Sequence, residues 1–172
     1  LFKEYNFSMV IMGVFHLVIS VVASVNFPRL NTLVYSSKTN DYASFIHKTD
    51  KQAFVIGVAC VVIAVFAAYI LKHIWISHQM FLIMLYASPG LIGVSLINSH
   101  TIVFHTFNVQ LMLVKSFTVI VLTYLFLLFV VTIYIKVDVH YVALMSSVFL
   151  CLSAMFIRLK TFSLLSNGGL LK

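Results

Sequence analysis

Long apolar runs recur from end to end of this sequence and limit its fold more than any other feature. Runs such as Val55–Leu71 and Val119–Ile135 are apolar on all sides and lack the alternation typical of transmembrane strands. About 20 helical residues, rising about 1.5 Å each, cross a hydrocarbon core of about 30 Å. The sequence therefore predicts an all-α, polytopic integral membrane protein with about five transmembrane helices.

The composition agrees with this prediction. Apolar residues make up 62% of the chain and charged residues only 9%, whereas a soluble domain has about 25% charged residues. The eleven Lys and Arg are spread over ends and connections, and a nucleic-acid interface would need them clustered on one basic face. We therefore predict no nucleic-acid partner, and we expect lipids to contact the chain.

The predicted spans are separated by polar or charged residues. They cover Phe7–Val25, Ala53–Leu71, Met80–Ile97, part of Thr101–Ile135, and Val139–Ile157. The first span should be closed by Asn26-Phe27-Pro28-Arg29. Pro89 should kink the third span, because proline removes a backbone hydrogen bond. As one helix, residues 101–135 would measure about 52 Å, so we expect this segment to overshoot the membrane or to break at Lys115-Ser116.

These spans divide into two predicted units. Residues 1–79 form two N-terminal transmembrane helices with a polar loop over 26–52, and residues 80–172 form a three-helix membrane unit with a short mobile tail. The chain begins with Leu1, as expected for a processed N-terminus or for initiation at a non-standard codon, which is common in organelle genomes. No small-residue cleavage site clearly follows the first apolar run, so we predict no cleaved signal.

The basic residues are divided unevenly between the two sides of the membrane. With five spans, seven share the side of the C-terminus, or eight if Lys115 lies at that interface: Arg29, Lys38, Lys48, Lys51, Arg158, Lys160 and Lys172. Three lie on the opposite side: Lys3, Lys72 and Lys136. The positive-inside rule then predicts an outer N-terminus and an inner C-terminus, the inner side being the matrix if the membrane is mitochondrial.

Few side chains could carry catalysis. Only four carboxylates are present: Glu4, Asp41, Asp50 and Asp138. We expect all four in ends or loops, which leaves no candidates for paired acid–base catalysis within the membrane. Cys60 and Cys151 lie inside apolar runs, far from any metal-ligand spacing. We predict no catalytic, cofactor-binding or metal-binding residues, and no cofactor.

Polar residues within a span are costly and point to function. Such residues occur at His105, Asn108, Gln110 and Lys115. On one continuous helix, His105, Asn108 and Lys115 would share a broad face, with Gln110 on the opposite one. This pattern predicts burial between other helices, either as a water-filled proton relay or as interhelical hydrogen bonds worth about 0.6 kcal/mol each.

The seven histidines also permit a heme-binding interpretation. His105 would pair with His140 or His73 as axial ligands. The sequence His-Thr-Phe-Asn at 105–108 resembles the heme helix of the large cytochrome b subunit of succinate dehydrogenase, although the glycine and the Arg-His pair that follow in that family are absent. We expect four histidines at membrane interfaces: His73, His78, His100 and His140.

A second resemblance covers the segment after the third span. Residues 96–102, Leu-Ile-Asn-Ser-His-Thr-Ile, and residues 109–113, Val-Gln-Leu-Met-Leu, resemble the second-helix signature of subunit 4L of mitochondrial NADH dehydrogenase, approximately LLNRRNI followed by IELML. Gln110 takes the place of the buried glutamate of that helix. At the spacing of the family's third-helix glutamate this chain has Ser146, so both carboxylates are replaced.

Members of that family hold three helices and sit in the proton-pumping arm of complex I. The resemblance covers Met80–Lys160 and leaves the two N-terminal helices outside it. It implies a location in the mitochondrial inner membrane, with other membrane subunits of a respiratory complex as partners. It also puts the connection at Asn98–His100 on the matrix side, in agreement with the charge count.

Three functions are open from the sequence. The first is a membrane subunit of the proton-pumping NADH:ubiquinone oxidoreductase that contributes to the intramembrane proton path and to helix packing. The second is a heme-binding membrane anchor of succinate dehydrogenase. The third is a lineage-specific accessory subunit of a respiratory complex that acts by packing alone. In each case we expect a non-catalytic subunit rather than a stand-alone enzyme.

Overall fold

The protein is helical throughout the part of the chain that can be described. The computed structural model describes residues 2–35, 39–74, 76–107, 109–134 and 137–166. These residues form six helices and no strand: α1 Phe2–Tyr35, α2 Thr39–Ile74, α3 His78–Ala87, α4 Gly90–Thr106, α5 Gln110–Tyr134 and α6 Val139–Ser166. The predicted all-α fold is confirmed, and the predicted mobile tail after Ser166 lies outside the described residues.

Five stretches of these helices are long and apolar enough to cross a membrane. They are Lys3–Leu33, Ala43–Ile74, His78–Thr106, Gln110–Val131 and Val139–Leu165. The third stretch consists of α3 and α4 together. For the described residues, the predicted count of about five spans is confirmed, and the chain is a multi-pass membrane protein.

Proline interrupts the third span as expected. α3 and α4 are separated by Ser88 and Pro89, which form a turn. Pro89 has no N–H to donate, and the N–H groups of Leu91 and Ile92 reach back to the carbonyls of Ser88 and Pro89 at 3.0 and 3.1 Å. The span therefore consists of two helices that meet at this turn.

The predicted end of the first span at Pro28 and the predicted loop over 26–52 are wrong. α1 continues through Pro28 to Tyr35, and α2 already begins at Thr39. Only 36–38 separate the two helices, and these residues lie outside the described part of the chain. The polar segment is therefore mostly helix.

Packing across the polar segment explains why it is helical. Leu30 of α1, Ile46 of α2 and Val103 of α4 form a buried cluster, each no more than 4% exposed. The helical turns of this polar segment thus each place an apolar side chain against a neighbouring helix. Hydropathy averaged along the segment does not reveal this single apolar face. Within α1, the carbonyl of Pro28 accepts a hydrogen bond from the Thr32 hydroxyl at 2.9 Å.

The long segment 101–135 does break, but the predicted break at Lys115-Ser116 is wrong. α4 ends at Thr106 and α5 begins at Gln110. Lys115 and Ser116 therefore lie inside the first turns of α5.

Contacts on both sides of the break account for its position. The N–H of Val109 donates to the carbonyl of Phe104 at 3.1 Å, which closes the end of α4. Just beyond the break, Leu113 packs against Phe104 and Ile157. This contact directs α5 back along α6.

Glycines let the central helix approach its neighbours closely. α4 packs against α1, α2 and α6. A Cβ added at Gly93 would lie 2.6 Å from the carbonyl carbon of Leu150 in α6, and one added at Gly57 of α2 would lie 2.8 Å from the Cα of Ile92. These are the small-residue contacts through which membrane helices pack.

A buried cluster also ties the N-terminal helices to the third span. It contains Met12, Ile19, Cys60, Ala64 and Leu91. The cluster crosses the predicted boundary after residue 79, so the first two helices pack directly against α4.

Helix α5 lies at the edge of the bundle. None of the residues in its most apolar window is buried, compared with 44% for the third span. It contacts α6 through Leu113 and through Tyr124, whose ring stacks on Phe149 with 4.3 Å between centroids. The Tyr124 hydroxyl also forms a hydrogen bond with Ser146. Most of the surface of α5 is therefore left uncovered by the other described helices.

Candidate functional site

A buried junction of charged and polar side chains joins α2, α4 and α6. It consists of Asp50, His100 and Arg158. Each residue stands close to the end of an apolar run, and all three ends are on the side of the C-terminus because α4 and α6 run antiparallel to α2. The junction therefore lies near one boundary of the apolar layer.

The Asp50 carboxylate is the centre of this junction. Its Oδ1 lies 2.8 Å from Nε2 of His100. The Nε of Arg158 donates to Oδ1 and Oδ2 at 3.0 and 3.1 Å. The Nη2 of Arg158 lies 2.9 Å from Oδ2. A planar guanidinium that meets both oxygens forms the strong, directional kind of ion pair.

Burial makes these contacts necessary. Asp50 is 6% exposed and His100 is 1% exposed, whereas the side chain of Arg158 is 49% exposed. A buried carboxylate is costly unless it is paired and hydrogen-bonded. The half-exposed guanidinium of Arg158 supplies the compensating positive charge. The buried imidazole of His100 donates a hydrogen bond to the carboxylate from within the bundle.

The ring nitrogens of His100 have different surroundings. An ionised carboxylate only accepts hydrogen bonds, so the contact with Asp50 requires a hydrogen on Nε2 of His100. The other nitrogen, Nδ1, is buried and has no hydrogen-bond partner in the described part of the chain. The bond to Asp50 therefore fixes the orientation of the His100 ring and leaves Nδ1 unpartnered inside the bundle of described helices.

An aromatic ring covers the junction. Phe162 of α6 stacks on His47 with 4.6 Å between centroids, and it meets His100 edge-on at 5.7 Å. The guanidinium carbon of Arg158 lies 5.6 Å from the centre of the same ring. Phe162 thus keeps both cation and imidazole against an apolar surface.

One sequence-based expectation is corrected at this site: Asp50 was expected in a loop, but it is buried in α2. His100, which was expected at a membrane interface, is buried in α4 close to the boundary of the apolar layer. The expectation failed because hydropathy marks where an apolar run ends, not whether another helix covers that end. The sequence did contain an indication of this site. Asp50 is an anion, Arg158 is a cation and His100 is a hydrogen-bond donor, and all three belong to the same predicted side of the membrane.

The predicted relay residues are not brought together. His105 ends up exposed in the last turn of α4, and Gln110 and Lys115 are exposed on α5. Asn108 lies outside the described residues. Because the helix is interrupted before Gln110, the predicted common face of His105 and Lys115 is wrong. Among the described residues, no hydrogen bond or ion pair joins His105, Gln110 and Lys115.

Ser146 occupies a separate polar spot. Its hydroxyl bonds to Tyr124 and donates to the carbonyl of Val142 at 2.9 Å, and Tyr5 of α1 lies beside it. Tyr124 is roughly 20 Å along α5 from Gln110, at about 1.5 Å per residue. Gln110 and Ser146, the two positions that the resemblance aligned with glutamates, are therefore far apart.

The histidines of the heme interpretation also lie apart. His140, in the first turn of α6, stacks on Tyr86 with 5.6 Å between centroids. His73 lies beside Tyr69 in the last turns of α2, with 4.8 Å between centroids. Both are at the end of the bundle opposite His105, so neither proposed axial pair is assembled within this chain.

The junction of Asp50, His100 and Arg158 is accordingly the candidate functional site of the described residues. It combines a buried carboxylate, an imidazole with an unpartnered nitrogen, and a half-exposed guanidinium. Such a set can fix three helices in register and can hold a proton at a defined atom. No protein-family model, curated protein or solved structure matches the chain.

Proposed function

We propose that this chain is a non-catalytic membrane subunit of the mitochondrial proton-pumping NADH:ubiquinone oxidoreductase. In the inner membrane it packs against other membrane subunits and contributes polar groups to the intramembrane proton path. The proposal is supported by the resemblance of residues 96–113 to subunit 4L and by the exposure of α5.

The uncovered flank of α5 is the observation that carries the proposal. Leu122 and Phe126 are 61% and 66% exposed, and Lys115 is exposed one turn into the same helix. A charged side chain in a membrane helix usually faces protein or a water-filled cavity. A neighbouring subunit against α5 would provide that environment for Lys115 and cover the apolar residues around it.

The buried junction supplies ionisable side chains, which the positions aligned with glutamates lack. A proton path needs ionisable groups shielded from lipid, and Gln110 and Ser146 cannot ionise. In this proposal His100, held by Asp50, is the ionisable side chain that the protein shields from lipid. Lys115 and His105 face the neighbouring subunit.

Co-purification tests the proposed assembly. A tagged full-length chain isolated in mild detergent is expected to bring down membrane subunits of NADH dehydrogenase, as quantified by mass spectrometry. Leu122→Trp on α5 should weaken this association by about 1–3 kcal/mol, the usual cost of overpacking. Val18→Trp is the matched control, since Val18 is 51% exposed on α1.

Two outcomes would contradict the assembly. Recovery of succinate dehydrogenase subunits would favour the membrane-anchor alternative. Equal recovery with Leu122→Trp and Val18→Trp would show that α5 is not the contact surface.

Replacement of Lys115 tests the proton path. In the assembled complex, Lys115→Met is expected to reduce the number of protons pumped per NADH, because a charged group is removed where the path would cross between subunits. Loss of a group that itself transfers a proton slows that transfer by about 100-fold or more. Electron transfer from NADH to a soluble acceptor should be unchanged. Proton uptake in reconstituted vesicles measures the ratio, with Lys72→Met at the opposite end as control.

Unchanged pumping with Lys115→Met would remove Lys115 from the path. The same result would favour an accessory subunit that acts by helix packing alone.

A further inference from the structure

An open groove of about 790 Å³ runs between α1 and α2. This volume lies within the range of roughly 300–1,000 Å³ typical of ligand pockets. One wall is α1 and the other is α2, and the lining residues are Val21, Val22, Val25, Asn26, Lys48, Lys51, Gln52, Val55 and Ile56.

The lining changes from apolar to polar along the groove. The valines and Ile56 lie within the apolar spans, whereas Lys48, Lys51 and Gln52 precede the run that starts at Ala53. Lys51 and Gln52 follow Lys48 by three and four residues, so both neighbour Lys48 on one side of α2 at the polar end of the groove. The groove therefore crosses the boundary of the membrane with a basic mouth and an apolar body.

Among the described residues, no carboxylate pairs with the positive charge at the mouth. Lys48 and Lys51 are exposed, and neither forms an ion pair within the described residues. Asp50, the neighbour of Lys51 in sequence, has its carboxylate engaged by His100 and Arg158. Two ammonium groups thus remain available to an anion from outside the chain.

From this arrangement we infer that the groove binds one anionic phospholipid. Lys48 and Lys51 contact the headgroup phosphate, Asn26 and Gln52 offer hydrogen bonds at the same level, and one acyl chain lies against Val25 and its apolar neighbours. Basic pockets between transmembrane helices on the inner side of a membrane recognise such headgroups. The inference requires only a multi-pass membrane protein and does not depend on the proposed respiratory complex.

The lining favours a phospholipid over other occupants. A free phosphate would use the lysines but leave Val21, Val22 and Val55 uncovered. A neighbouring apolar helix would cover the valines but bury two uncompensated ammonium groups, which is costly. An anionic lipid satisfies both parts at once.

Native mass spectrometry of the purified full-length chain, titrated with dioleoylphosphatidylglycerol, tests the inference. One molecule is expected to bind more tightly than dioleoylphosphatidylcholine. Lys48→Gln together with Lys51→Gln should weaken binding by about 30-fold, since each basic residue contributes roughly a fivefold effect near a lipid surface. The matched control is Lys72→Gln with Lys160→Gln, which removes the same charge away from the groove.

A second variant distinguishes binding of the lipid within the groove from non-specific electrostatic attraction between the lipid and the lysines. Val25→Trp keeps both lysines and fills the apolar body, and Val25 is 61% exposed, so the core is untouched. It should abolish tight binding while thermal unfolding stays the same. Equal binding of the two lipids, equal loss in the control pair, retention by Val25→Trp, or displacement by excess glycerol phosphate would overturn the inference.

Discussion

Asp50→Ala is expected to destabilise the protein by about 3 kcal/mol. Removing one partner of a buried ion pair costs about 3–5 kcal/mol. The low end applies because Arg158 is half exposed and can turn its charge to water. The remaining cost comes from His100, whose Nε2 hydrogen would be left buried without an acceptor. Denaturant or thermal unfolding in detergent micelles measures the loss.

Matched variants identify the source of this effect. Asp50→Asn keeps the size of the side chain and an acceptor for His100, so it should lose less stability than Asp50→Ala. Asp138→Ala is the control, because Asp138 is exposed before α6 and its backbone carbonyl, which accepts from the N–H of Tyr141, is retained. A double-mutant cycle with Arg158→Met should show a coupling energy of about 0.5–3 kcal/mol. Equal effects of Asp50→Ala and Asp138→Ala would contradict the junction.

Gly93→Ala is expected to have a second large effect. The added Cβ would lie 2.6 and 2.7 Å from the carbonyl carbon and oxygen of Leu150, and 2.8 Å from the backbone nitrogen of Cys151. These atoms are backbone and cannot rotate away, so α4 and α6 must separate. We expect a loss near the upper end of the roughly 1–3 kcal/mol typical of overpacking.

The neighbourhood of Gly93 provides a local readout. The Cys151 thiol donates to the carbonyl of Pro89 at 3.4 Å across the interface between α6 and α4. Separation of these helices should raise the rate at which a maleimide labels Cys151, while Cys60, buried between α1 and α2, serves as an internal reference. Gly13→Ala is the control variant, since a Cβ there meets nothing within 4 Å. It should be neutral or stabilising by up to about 1 kcal/mol. Similar behaviour of Gly93→Ala and Gly13→Ala would show that the helices can accommodate the methyl group.

Helix boundaries could be predicted from sequence patterns at some positions and not at others. The interruption at Pro89 was predictable because a proline lacks the N–H that an α-helix needs at that point. The continuation of α1 through Pro28 was not, because Pro28 is followed by Leu30, which is held in a cluster with residues of α2 and α4. The missing N–H of proline thus interrupts the helix at Pro89 and is tolerated at Pro28. The difference depends on the side chains that pack against each segment.

The candidate site shows the same division. His105 and Lys115 were selected because they interrupt apolar runs, and they are exposed on α4 and α5. Asp50 and His100 were assigned to the ends of spans, and they are buried against each other. A polar residue inside a span is visible in the sequence, but a polar residue covered by a distant helix is not.

The class of fold, the number of membrane spans and the predicted sides of the charged ends follow from the amino-acid sequence alone. They do so because the cost of transferring a side chain into hydrocarbon is a local property that sums along about 20 residues. The packing of the helices was needed to show that Asp50, on the same predicted side as His100 and Arg158, lies within 3 Å of both. That contact depends on the close approach of α2, α4 and α6 at Gly57 and Gly93, and such distances between helices are not a property of any single segment.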